Sequence, residues 1–209
     1  MVENFHKPTQ YSTDKFDTFE GGHDPAQIMR AAHDTAHALI EGARNAEDPA
    51  VLDRIVAYTD EHGIDALAEL WSRSSPRSLP GALWRIYILR AVIQQDADGT
   101  SLLFQRGIDT LRTIDAAVTG AVNPTGPAEI KDLADQILRG VFRGDFGVAL
   151  DRAASFSRIL ASGAGSIADD QELLKPERAS ELTTRADRYS RTADEFSTCA
   201  KMFRAATLD

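Results

Sequence analysis

The stretch PGALWRIYILRAVIQQ, residues 80–95, decides the fold. It is apolar nearly all the way round a helical wheel, interrupted only by Arg85, Arg90 and the closing glutamines. A helix apolar on every side belongs among other helices, so this one is expected to be central and buried. Before it, SSPRSLP (residues 74–80) reads as a loop. On either side the punctuation continues to spell helices. Asp24-Pro25 and Asp48-Pro49 each place a capping carboxylate before a proline in the first turn. They predict helices over about 25–44 and 49–62, the second ended by Gly63, followed by a short helix over 65–73. After the central helix, a fifth is expected from a cap at Thr100 to about Thr119. A sixth follows over about 128–142. A seventh starts at Asp145 and ends near Ser162-Gly163-Ala164-Gly165-Ser166, and a last one runs from Pro176 to about Ala205.

Composition agrees with this reading. Of 209 residues, 43 % are apolar, enough to build a core. Alanine supplies 31 of them, against 21 Val plus Ile and 15 aromatics. That balance favours helices over a sandwich or barrel. The expected fold is an all-α bundle of seven to eight helices over residues 24–209. Residues 1–23 are expected to form an extended N-terminal arm that carries Phe5, Tyr11, Phe16 and Phe19.

Several functions are disfavoured at this level. A net charge of −9 argues against nucleic acid, whose phosphates need a basic surface. One cysteine, Cys199, gives neither a disulfide framework nor a cysteine-rich zinc site. The sequence shows no basic-then-apolar leader and no apolar run long enough to span a membrane, so a cytoplasmic protein is expected.

Within the central region, Ser78-Leu79-Pro80-Gly81-Ala82-Leu83-Trp84-Arg85-Ile86-Tyr87 resembles a segment of uncharacterised helical proteins from actinobacteria, the likeness spanning roughly residues 30–90. Eighteen Arg against five Lys suit a high-GC genome of that kind. The resemblance implies a helical family and carries no activity, cofactor or site residue.

His33 and His37, four apart with Glu41 one turn on, share a helix face, as two imidazoles and a carboxylate at a metal would. The apolar face of that helix, with Ile28, Ala32, Leu39 and Ala43, points elsewhere, so no metal and no cofactor are expected. A metal-dependent bundle enzyme using His33, His37 and a third ligand such as His62 is the alternative, and a helical ligand-binding regulator is another. Asp145-Phe146-Gly147 spells a kinase motif without its companions and is set aside.

Charge is distributed unevenly. Between Glu69 and Asp96 no acid occurs, while Arg73, Arg77, Arg85 and Arg90 give the window +4 in a chain of −9. Arg85 and Arg90, on the buried helix, are expected to pair internally with carboxylates. Arg73 and Arg77, on the loop beside the first turn of that helix, are expected to bind an anion or an acidic partner. On the last helix, Ala179, Leu182, Ala186, Tyr189, Ala193, Phe196, Ala200 and Phe203 step by three and four, a seam of alternating small and large residues. It packs on the chain's own bundle, on a second copy or on another protein. Glu181 with Arg185 and Asp187 with Arg191 are expected as pairs along the helix. The expected function is a non-catalytic, cytoplasmic protein acting through protein–protein contacts, as a homodimer or with an unknown protein partner.

Overall fold

The Asp24 carboxylate accepts the Ala26 N–H at 3.0 Å, and helix α1 (Pro25–Asn45) starts from that cap. The computed structural model describes residues 24–45, 70–121, 125–143 and 145–209, and these residues are all helix, turn and loop, with no strand among them. The remaining helices are α2 (Leu79–Gln95), α3 (Ala97–Thr110), α4 (Asp115–Thr119), α5 (Pro127–Arg143), α6 (Phe146–Gln171) and α7 (Pro176–Arg204). The expected all-α bundle is the observed architecture. The arm over 1–23, the helix over 49–62 and most of the one over 65–73 lie outside the described residues.

Long-range pairs give the arrangement. Helices α6 and α7, joined through residues 172–175, form a long antiparallel hairpin. Phe146 meets Phe203 edge-on at 5.2 Å, and further along Arg158 donates to Ser197 Oγ at 3.1 Å. Helix α2 also runs antiparallel to α7, with Arg85 on Glu195 near one end and Asp96 facing Arg185 at 3.9 Å near the other. Helices α1 and α5 flank α2, while α3 and α4 lie on α6. The largest fully buried side chains, Trp71, Phe104, Phe146, Phe156 and Phe196, come from α3, α6, α7 and the segment before α2. Phe104 stacks on Phe156 at 5.1 Å, tying α3 to α6. Trp71 keeps its indole N–H satisfied by donating to Thr35 Oγ1 of α1 at 3.1 Å.

Three local expectations change. Helix α3 begins at Ala97, because Asp96 caps it by accepting from Gly99 N at 2.9 Å; Thr100 lies inside the helix and is buried. The segment expected to be helical through Thr119 breaks after Thr110 and restarts as α4, which draws Asp115 onto Arg158. Helix α6 does not end near Gly163 but continues to Gln171. Helix α2 is buried over most of its surface, yet Ile88 is 42 % exposed, so one side of it opens outward.

The Asp115 cluster predicts a pH response. Arg158 Nη2 lies 2.7 Å from Asp115 Oδ1, and Thr113 donates to Oδ2 at 2.7 Å. Burial pushes the carboxyl up, but hydrogen bonds from Arg158, Thr113 and Ser155 outweigh it and hold the group below its ordinary value. A carboxylate with a lower folded than unfolded pKa contributes its full stabilisation above the unfolded value, about 4, and loses it as pH falls through the folded value. Asp115→Asn is therefore expected to flatten the acid side of a pH series of urea midpoints. An unchanged acid slope would show that another group is responsible.

Candidate functional site

The arginines of α2 are built into the bundle as expected. Arg85 Nε donates to Glu195 Oε2 at 2.5 Å and Nη1 to the Gly81 carbonyl at 3.3 Å. Arg90 Nε donates to Asp135 Oδ1 at 2.7 Å, and Gln94 reaches the same oxygen at 3.4 Å. Arg85 and Glu195 are each about a quarter exposed, 25 % and 24 %, which moderates the cost of separating them. Arg85→Ala is expected to lower stability by about 1–3 kcal/mol, the range for a charge-assisted hydrogen bond whose partner is left behind. Urea unfolding checks it, and a loss under about 0.5 kcal/mol would mean that solvent already satisfies Glu195.

Arg73 and Arg77 are exposed on the loop before α2. The amides expected to assist them there are already used. Leu79 N–H donates to the backbone oxygen of Asp209 at 2.8 Å, Gly81 N–H to Ser78 Oγ at 3.2 Å and Ala82 N–H to the Ser78 carbonyl at 2.8 Å. Pro80 has no N–H. The helix start is thus closed by the chain itself, leaving only the two guanidinium groups.

His33 and His37 meet the same closing segment. Nδ1 of His33 and Nε2 of His37 lie 3.7 and 3.8 Å from Asp209 Oδ1. Among the described residues no group of three or more His, Cys, Asp or Glu side chains is placed to hold a metal ion. His62 lies outside them. Cys199 is buried, and burial pushes its thiol up to about 11; the Sγ donates to the Pro76 carbonyl at 3.4 Å. That environment does not make a nucleophile.

The seam of α7 faces inward. Leu182, Tyr189, Ala193 and Phe196 are buried and Ala186 is half-buried, with α6 running along them. The pairs expected along α7 rearrange. Glu181 bonds Arg178 at 3.0 Å instead of Arg185. Arg185 turns to Tyr189, donating to its hydroxyl at 3.1 Å with its guanidinium 5.5 Å from the ring centroid. Arg188 and Arg191 are exposed and make no ion pair among the described residues.

Between α2 and α7 lies a half-open groove of about 890 Å³. Ile88, Leu89, Val92, Leu182 and Tyr189 form its apolar floor. Arg178, Arg185, Arg188 and Arg191 line the α7 side, and Arg85 with Glu195 closes one end. Among the described residues five arginines and two glutamates border the groove. From Arg178 to Glu195 the α7 wall is roughly 25 Å long at 1.5 Å per residue. These α7 arginines are absent from the expected site. In the sequence they alternate with Glu181, Asp187, Asp194 and Glu195, and only a wheel at about 100° per residue separates them from Asp187 and Asp194.

The chain matches no protein-family model, no curated protein and no solved structure.

Proposed function

We propose that the protein is a non-catalytic binding protein that receives an acidic, amphipathic helical segment in the α2–α7 groove. The observation that carries this reading is the apolar, arginine-walled groove on a chain of net charge −9. An α7 wall of roughly four to five helical turns beside an apolar floor suits a helix laid lengthwise, its leucine-like face down and its carboxylates toward the arginines. Exposed Arg73 and Arg77 add to the positive charge near the start of α2. No helix among the described residues is long and apolar enough to cross a membrane. Action in the cytoplasm, without nucleic acid, belongs to this reading.

The experiment is a titration with a fluorescein-labelled helical peptide that places Leu at i, i+3, i+4 and i+7 and Glu on the other face, read by anisotropy. The expected result is saturable binding that weakens with added salt and falls at least about tenfold in an Arg188→Glu, Arg191→Glu double variant. Binding unaffected by that charge reversal would remove the groove from the function.

A further inference from the structure

The chain itself carries a segment of the chemistry this groove selects, and we infer that two copies pair by seating the α6–α7 turn of each in the α2–α7 groove of the other. The inference rests on the groove reading above and names its partner. Leu173 and Leu174, in the turn, are 96 % and 82 % exposed, the most exposed large hydrophobic side chains among the described residues. Acids surround them. Asp169, Glu172 and Glu177 are exposed, and Lys175 is the only basic residue between 169 and 177. Asp170 is held by Arg106, whereas Asp169 and Glu172 make no ion pair among the described residues.

The complement is mutual. Two bare leucines, flanked by carboxylates that are unpaired among the described residues, complement a floor that includes Ile88 and Val92, flanked by the guanidinium groups of Arg188 and Arg191, which are likewise unpaired among the described residues. Both features lie on one hairpin, with the turn just beyond the Arg178 end of the groove. If two α7 helices cross antiparallel at a two-fold axis near Glu181, Leu174 of each copy comes level with Arg188 of the other, about 10 Å from the axis. Both turn-in-groove contacts then form together, and the assembly closes at two copies. Ala193 and Phe196 of the inward seam take no part, because they are fully buried in the bundle.

The test is sedimentation velocity on the full chain over a concentration series at low salt, with the acidic peptide titration run on the same preparations. The expected result is a shift from one to two chains, weakened by salt. The Leu173→Ser, Leu174→Ser pair and the Arg188→Glu, Arg191→Glu pair should each raise the dimer dissociation constant at least about tenfold, with unchanged melting curves. Asp169→Arg with Glu172→Arg should do the same alone. Added to Arg188→Glu and Arg191→Glu, it should restore pairing, because the reversed charges again face each other. A wild type that stays a single chain while the peptide still binds overturns self-pairing and leaves the groove reading standing. A dimer untouched by the leucine changes also overturns it, since the turn is then not the occupant. Loss of both dimer and peptide binding removes both readings.

Discussion

Ala193→Glu is expected to unfold the protein. Ala193 is fully buried on the face of α7 that packs along α6, within the seam that includes Tyr189 and Phe196. A glutamate there must lose its hydration, and its extra atoms must enter a closed helix–helix contact. Burying an unpaired carboxylate costs several kcal/mol, and overpacking adds about 1–3 kcal/mol. Together these approach the whole stability of an ordinary domain, about 5–15 kcal/mol. Circular dichroism should show little helix at room temperature, or a melting temperature lowered by tens of degrees. Ala193→Ser, which adds one hydroxyl able to bond the carbonyl a turn earlier, should lose far less. A folded variant with the wild-type melting curve would show that α7 does not pack on α6 through this face. The same experiment separates internal packing from pairing across this seam, which would instead leave a folded single chain.

The second large effect lies in Ser162-Gly163-Ala164-Gly165-Ser166, which reads in sequence as a helix end and is helix interior. Gly163 sits where α6 crosses α3. A Cβ there would lie 1.8 Å from the Leu103 carbonyl oxygen and 2.9 Å from Gly107 N. From the other side, a Cβ on Gly107 would lie 2.0 Å from the Ile159 carbonyl oxygen. These obstacles are backbone, so the helices must move apart, disturbing the Phe104–Phe156 stack beside the crossing. Gly163→Ala is expected to cost about 2–4 kcal/mol even after the gain of about 1 kcal/mol in helix propensity. A Cβ on Gly165 would meet no neighbouring heavy atom within 4 Å, so there only propensity acts. Gly165→Ala should stabilise by about 0.5–1 kcal/mol. Chemical denaturation of the two variants gives opposite signs. Equal signs would mean that α3 and α6 do not cross at Gly163.

The ends of helices were legible where their chemistry is local. Asp24-Pro25, Asp145 and Pro176 mark the starts of α1, α6 and α7 within a residue or two, because a cap needs only the next three amides and a proline at the first helical position only its own fixed φ. Arg85 and Arg90 were legible as internal ion-paired residues, because a cation on an apolar helix has to find a carboxylate. Which carboxylate it finds, Glu195 or Asp135, is a matter of packing between residues more than forty positions apart. Thr100, read as a cap but buried inside α3, is a different case, a choice between two local caps. Asp96, four residues earlier, captured Gly99 N–H first. The start of α2 shows the limit most directly. Its free amides suggested an anion site beside Arg73 and Arg77, yet the backbone of Asp209, at the far end of the sequence, fills the first of them.

The helical class, the central place of α2 and the existence of a seam on α7 can be read from the residues in order, since composition, hydrophobic period and capping act within a few positions of one another; whether that seam packs on α6 or on a second chain cannot. The roles of Gly163 and Gly107, the partners of the α2 arginines and the sorting of α7 charges into a groove arise only in the packed bundle. Each of these depends on how closely two helices approach, and that distance is set by packing of the whole bundle rather than by any neighbour in the chain.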